Sequence, residues 1–252
     1  MQDELKGRVA WVVGAGGTLG RQISADLAAA GARVYASSRD EGKLQAMARE
    51  TAGLTPLPMD ITERRSVDAA AARIVAESGR IDILVNSTSL SLFGDFLTLD
   101  DEIWVKVLQT KQIGYMRTVR AALPHMLQRK RGVVVNVTGK GGRAPRDVHL
   151  PGCSANAALN LLTRGLAMTY GKDGVRFVAV SPGVIDSPRL AAIRRSTSER
   201  NSFDQAGADK AIAGSNYLGR LGTAQEVSNA VLFAASDRAG FTTGTVIEVD
   251  GG

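Results

Sequence analysis

The sequence predicts an α/β fold, a doubly wound parallel sheet of about seven strands in a single domain over residues 1–252. Three observations carry this. Short apolar runs alternate with amphipathic helical stretches from end to end. The runs are β-branched and apolar on both faces, as expected of strands covered by helices above and below. No linker, repeat or low-complexity tract interrupts them.

Taken in order, the strand candidates are 8–15 (RVAWVVGA), 32–38 (ARVYASS), 54–60 (LTPLPMD), 81–87 (IDILVNS), 132–139 (GVVVNVTG), 175–183 (VRFVAVSPG) and 245–252 (TVIEVDGG). Between them TLGRQISADLAAAG, ERRSVDAAAARIVAESG and TAQEVSNAVLFAASD have helical periodicity. The least regular part is 186–220, rich in Ser, Arg, Asn and Asp, and it reads either as a substrate lid or as a plain surface excursion.

Composition narrows the function classes. One cysteine excludes an intrachain disulfide and fits a reducing compartment. MQDELKGRVAWVV lacks a basic-then-apolar leader, and no apolar run approaches membrane-spanning length, so a cytoplasmic protein without membrane association is expected. The net charge of +6 concentrates at 128–132, at 139–146 and around Arg189 to Arg200. No helix-turn-helix, zinc or RNA-binding signature accompanies it, so neither nucleic acid nor a metal is expected. A phosphate-bearing cofactor or an anionic small-molecule substrate accounts for the charge better.

The first strand runs into GAGGTLGRQIS. Gly14, Gly17 and Gly20 follow a strand and open a helix, the context of a Rossmann-type dinucleotide site. Missing side chains admit a pyrophosphate to the backbone, and the helix N-terminus supplies N–H groups and positive dipole. Thr18, Leu19 and Arg21 belong to the same turn. The second strand ends ASSRD: Ser38 stands where an acidic residue usually holds a ribose hydroxyl, and Arg39 follows it. Arg21 and Arg39, with no carboxylate at that position, favour a 2′-phosphate and hence NADP(H) over NAD(H). The competing reading is that both arginines are exposed helix-end charges.

Several further motifs, in order, resemble the short-chain dehydrogenase/reductase family over nearly the whole chain. MDIT at 59–62 resembles its adenine-side Asp motif, with Asp60 and Ile61 as counterparts. ILVNSTS is similar to its fourth strand and keeps Asn86. VAVSPGVIDSP resembles the segment that covers the nicotinamide, with Pro182, Gly183, Ile185 and Ser187 in place. The C-terminal GRLGTAQEVSNAVLFAASDRAGFTTGTVIEVDGG is close to the family's last helix and strand. One departure is Thr18, where the common single-domain pattern has glycine; the spacing 14, 17, 20 resembles that of the family's extended members. The resemblance implies a homodimer or homotetramer.

It also implies an Asn, Ser, Tyr and Lys active set, and those positions are replaced. Alignment through ANAALNLLTRGLA places Lys111 at the Asn position, Gly139 at Ser, Gly152 at Tyr and Asn156 at Lys. The thirteen-residue interval from 139 to 152 matches the family's Ser-to-Tyr spacing. Glycines offer no donor, and Asn156 lowers no pKa by charge, so alcohol–ketone exchange through a phenol is not expected. Lys111 and His149 are the candidate replacements: a cation returned to the pocket, and a loop histidine as proton donor. Asp147 is a thin partner for His149, and Cys153 reads mainly as packing. Lys140, Arg143 and Arg146 form a candidate anion-binding rim, while glycines at 139, 141, 142 and 152 suggest a widened cleft. Three functions stay open: an atypical NADP(H)-dependent reductase with dienoyl- or enone-reductase-like chemistry, a non-redox lyase or isomerase, and an NADP(H)-binding pseudoenzyme.

Overall fold

Side-chain alternation along each strand explains the layering. In β1 (Val9–Val13), Ala10 and Val12 enter one core while Val9, Trp11 and Val13 enter the other. The computed structural model describes residues 3–90, 92–201 and 204–252, with the side chains at 147, 192, 196 and 199–201 also outside the description. β2 (Arg33–Ser37), β3 (Leu54–Pro56), β4 (Ile83–Asn86), β5 (Gly132–Val137), β6 (Val175–Pro182) and β7 (Thr245–Val249) join β1 in one sheet. Every pairing is parallel, and the order is β3-β2-β1-β4-β5-β6-β7. The predicted doubly wound sheet is therefore observed.

Helices cover both faces. α1 (Thr18–Ala29) and α9 (Ala224–Ala235) pack over one face, and α3 (Arg64–Ser78), α5 (Gly114–Gln128) and α6 (Leu150–Tyr170) over the other. Two helices start on signals visible in the sequence. α9 has a reciprocal capping box between Thr223 and Glu226, and α6 carries Pro151 in its first turn. α2 (Glu41–Glu50) is capped by Asp40, which accepts from the Lys43 N–H at 3.0 Å.

Two expectations change. The strand expected over 54–60 is regular only through Leu54–Pro56, although the Leu57 N–H still donates to Ala36 O at 2.9 Å and the Met59 N–H to Ser38 O at 3.0 Å; Pro56 and Pro58 fall at the alternate positions, which face the open edge of the sheet. The irregular stretch at 186–220 is largely helical: α7 (Leu190–Asn201) and α8 (Gln205–Ala213) pack together, although Ser202 and Phe203 between them lie outside the described residues. Leu190 and Ile193, with Ile212 opposite, form a small core that also takes Phe93, Val184 and Leu221. Apolar residues at i, i+3 were diluted there by polar ones, which hid the period.

α4 (Asp101–Leu108) runs into α5 through a π-helical stretch, Gln109–Ile113. A wider turn of this kind rotates the residues within it relative to the helices on either side.

At the rim of the sheet Asn86 pairs in register with Asn136. Both are buried, and Asn86 Nδ2 donates to Asn136 Oδ1 at 3.0 Å. Thr118 of α5 donates to Asn86 Oδ1 at 2.7 Å, and Asn136 Nδ2 donates to Thr163 of α6 at 3.0 Å. This chain joins two strands to two helices with its polar atoms satisfied. Asn136→Ala is expected to lower unfolding free energy by about 1–3 kcal/mol for each partner it orphans. Urea unfolding of the two proteins measures the loss, and a loss within error would mean that the network contributes nothing.

Candidate active site

The glycine turn after β1 forms one wall of a cleft of about 360 Å³ at the C-terminal ends of the strands. Gly14 has φ +84°, and a Cβ there would lie 2.7 Å from the Ser87 carbonyl carbon. A Cβ on Gly20 would collide with the Gly14 carbonyl oxygen, so this glycine is what seats α1 against the turn. Gly17 is the N-cap of α1, and the first-turn N–H groups at Thr18, Leu19 and Gly20 have no helical acceptor.

Gly16 of the same turn lines the cleft too, and the rest of the lining is mostly polar, with Ser38, Arg39, Lys43, Asp60 and Thr88 beside Ile61. The sequence reading saw no carboxylate at the end of β2, yet Asp40 and Asp60 both face the cleft. Both are committed internally. Asp40 caps α2 and pairs with Lys43 at 3.3 Å. Burial pushes the Asp60 carboxyl up, but hydrogen bonds from the Thr62 hydroxyl and N–H, with the charges of Arg39 and Arg117, outweigh that and hold it below the ordinary carboxylate value. Arg21 turns away to an ion pair with Glu50 and is not part of the cleft lining. Asn86 is likewise behind the lining, tied into the network above. Pro182 ends β6, Gly183 donates to Val249 O at 3.0 Å, Ile185 bridges to Gly222, and Ser187 Oγ donates to Ile185 O at 3.2 Å.

The structure brings Lys111, Gly139, Gly152 and Asn156 to the rim of β5 and the start of α6. Lys111 is 7% exposed, and its Nζ donates to Thr138 O at 3.1 Å. Burial, reinforced by the charge of Arg189, lowers its pKa to about 7. A Cβ on Gly139 would sit 3.0 Å from Asn156 Nδ2, one on Gly141 would meet Cys153 Sγ at 2.6 Å, and one on Gly142 would meet Asn160 Nδ2 at 2.9 Å. On Gly152 it would fall on the imidazole of His149. The glycines therefore do not widen the cleft as expected. They let the β5–α6 loop and the His149 ring pack directly on α6, and side chains fill the released volume.

His149 ends a short 3₁₀ turn, Asp147–His149, before α6, rather than lying in an open loop. Its Nδ1 is 2.9 Å from Leu92 O and its Nε2 is 3.0 Å from Arg189 Nη2. A carbonyl requires a donor and a guanidinium requires an acceptor, so the imidazole is neutral with its proton on Nδ1. Burial lowers its pKa to about 4, with Arg189, Lys111 and Arg146 adding to the effect. In this arrangement both nitrogens are committed and no proton is free to donate. The Asp147 side chain, expected beside it, is outside the description. Cys153 is buried, as packing predicts.

The proposed cationic rim separates in two. Lys140 and Arg143 are neutralised by Asp250, at 3.5 and 2.9 Å, and Arg143 also approaches Glu248 at 3.7 Å. Arg146 stays on the His149 side. Sequence reasoning missed Arg189, which was counted only as the start of a basic run, and Lys43, whose place follows from the Asp40 cap. It also missed Tyr115, whose hydroxyl lies 3.0 Å from Thr88 O and 3.1 Å from Val137 O. Burial pushes that phenol well above its ordinary pKa, so it braces the strand ends and is a poor acid.

Sheet order, glycine turn and cleft define an α/β protein of the Rossmann type. A family model described as enoyl-(acyl carrier protein) reductase matches residues 14–252. The chain is 30% identical over 248 residues to the 3-oxoacyl-(acyl-carrier-protein) reductase of Escherichia coli, covering 98% of this chain and 97% of that protein. It therefore belongs to the short-chain dehydrogenase/reductase family. Among solved structures, a variant of actinorhodin polyketide ketoreductase with NADPH superposes with a TM-score of 0.94 at 26% identity, covering 100% of this chain and 98% of the other. A structure named ribose-5-phosphate isomerase from Brucella melitensis 16M gives 0.89 at 32% identity, covering 100% and 94%. Among the described residues no helix is long and apolar enough to cross a membrane.

The His149 arrangement predicts a pH effect. Its folded pKa is depressed to about 4, so between that value and the unfolded one of about 6.5 the unfolded chain binds more protons. Stability then falls as pH drops through this window. Proton NMR is expected to show no titration of His149 between pH 5 and 8, and in Gly152→Ala, where the ring is displaced toward solvent, a midpoint moved up toward 6.5. A native His149 that titrates near 6.5 would contradict the neutral buried ring.

Proposed function

We propose that the protein is an NADP(H)-dependent oxidoreductase of this family that works without the Asn-Ser-Tyr-Lys set, the four positions being Lys111, Gly139, Gly152 and Asn156. One observation carries the reading: the place of a side chain at 152 is taken by a neutral imidazole, while a buried ammonium, Lys111, stands at the end of β5. The residues fit a dinucleotide. Gly14 and Gly17 form a cradle without side chains, and the buried hydroxyls of Ser87 and Thr88 have no partner. Arg39 and Lys43 favour a 2′-phosphate, Arg39 taking the role first assigned to two arginines.

A nicotinamide nucleotide supplies hydride when bound. The chain's own residues would hold and orient it: backbone N–H groups of the first α1 turn would receive the diphosphate, and Pro182, Gly183, Ile185 and Ser187 would serve the nicotinamide side. Lys111 Nζ stabilises negative charge developing on the oxygen of a conjugated carbonyl, and the resulting enolate takes its proton at carbon from water, so that reduction needs no phenolic proton donor. This favours enone- or dienoyl-type acceptors over simple ketones. We assign α7 and α8 as the cover over the substrate side, with the whole chain acting as one domain and assembling as a homodimer or homotetramer.

The name of the Brucella structure favours a second reading, a non-redox isomerase or lyase in the same cleft. Activity that persists without any nicotinamide nucleotide separates the two. NADPH binding without turnover of either kind marks a pseudoenzyme.

Titration by protein fluorescence is expected to give tighter binding of NADPH than of NADH. Arg39→Ala is expected to weaken NADPH by about tenfold or more and leave NADH nearly unchanged, the effect of losing a charged hydrogen bond. Equal loss for both nucleotides contradicts the 2′-phosphate assignment. With a panel of enones and dienoyl thioesters, NADPH oxidation is expected to fall as pH rises through about 7, because Lys111 loses its charge there. Lys111→Met is expected to remove that dependence and about a hundredfold of the rate. No NADPH oxidation across the panel removes the redox reading.

A further inference from the structure

Three cations, Arg189, Lys111 and Arg146, lie close enough to His149 to disfavour its protonation. The guanidinium of Arg189 lies over the Phe93 ring, 5.6 Å from its centroid, and its one side-chain hydrogen bond goes to His149 Nε2. Its Nε–H is buried without a partner. Lys111 has a single backbone acceptor for its three donors. Among the described residues neither Lys111, Arg146 nor Arg189 has a carboxylate within 4 Å. Several other cations nearby do have carboxylate partners: Lys43 has Asp40, Arg21 has Glu50, and Lys140 and Arg143 share Asp250, with Glu248 also 3.7 Å from Arg143, while Arg39 belongs to the nucleotide half of the cleft.

Uncompensated positive charge in a buried place is costly unless an anion arrives to balance it. The imidazole is built to receive one edge of the guanidinium. Leu92 O fixes the tautomer, and Gly152 leaves room for the ring. That leaves the Nε edge of Arg189 as a preoriented donor, and a planar fork of this kind suits the paired oxygens of a carboxylate or phosphate. Thr110, next to Lys111 in the chain, lines the main cleft, which places the cluster beside it.

We infer that Arg189, oriented by His149 and backed by Lys111, anchors an anionic group, a carboxylate or a phosphate, on the substrate. This deepens the functional reading above by naming the substrate class, and it rests on that reading for the statement that the anion belongs to a substrate. The binding itself needs neither nicotinamide nor turnover. His149 is here a positioning residue.

The test is calorimetric titration of the full chain with inorganic phosphate and, separately, with malonate, with and without saturating NADPH. At least one probe is expected to bind at one site per chain. Arg189→Met and Lys111→Met are each expected to weaken it tenfold or more, while Lys140→Met, paired with Asp250, leaves it unchanged. Arg189→Lys, which keeps the charge and loses the fork, is expected to weaken it severalfold and serves if the methionine variant does not fold. Binding of the probe is also expected to shift the His149 imidazole resonances, which a merely structural histidine would not show. Preference for phosphate or for malonate identifies which anion the substrate carries. If neither probe binds, or if both bind equally well to the Arg189 variants, the inference is overturned. NADPH affinity measured on the same samples keeps the readings apart: NADPH binding without anion binding removes only this inference, and anion binding without NADPH binding removes only the cofactor reading.

Discussion

The hydrogen bond between Asn86 and Asn136 holds two strand ends level, and the site is built from what leaves those ends. Ser87 to Leu90 follow directly from β4, and Thr138 to Gly142 from β5. A one-residue slip of either strand would turn its amide to the opposite face, away from the other amide and from its own partner, Thr118 or Thr163. The apolar core would tolerate other pairings of similar volume more readily than this polar chain would, because each orphaned amide is penalised. Register is therefore specified where the loops begin, and the core supplies most of the burial.

Polar and charged groups gather along that rim. Glycine backbone, a neutral imidazole and amide side chains pack together where β5 meets α6, with Lys111 and Arg189 beside them. Tyr115 is a brace between carbonyls. Positive charge concentrated at low dielectric acts on the binding and polarisation of anions more than on the shuttling of protons.

Much of the fold was legible because its signals are local and periodic. Apolar strands and a strand–glycine turn–helix unit are read within a few residues of one another. The site was legible where it rests on backbone, as at Gly14 and Gly20. It was less so where it depends on side chains from distant segments. Arg189 meets His149 across forty positions of sequence, and nothing near Arg189 marks it as different from the arginines that follow it. Arg21 shows the reverse error: a charge expected at the nucleotide site points elsewhere once Glu50 claims it. The four glycines misled for a physical reason. An absent side chain signals either open space or close approach, and only the neighbours decide which.

The π-helical stretch at Gln109–Ile113 makes α4 and α5 two rods out of step. Each residue of an α-helix advances the azimuth by about 100°, so a single added or lost position in this connection redirects everything on one side of it. Lys111 lies at the junction, where neither rod alone fixes its direction. The spacing between the cleft rim and α5 thus works as a phase setting. An insertion there would redirect Lys111 together with everything on one side of it, where a substitution would alter a single side chain.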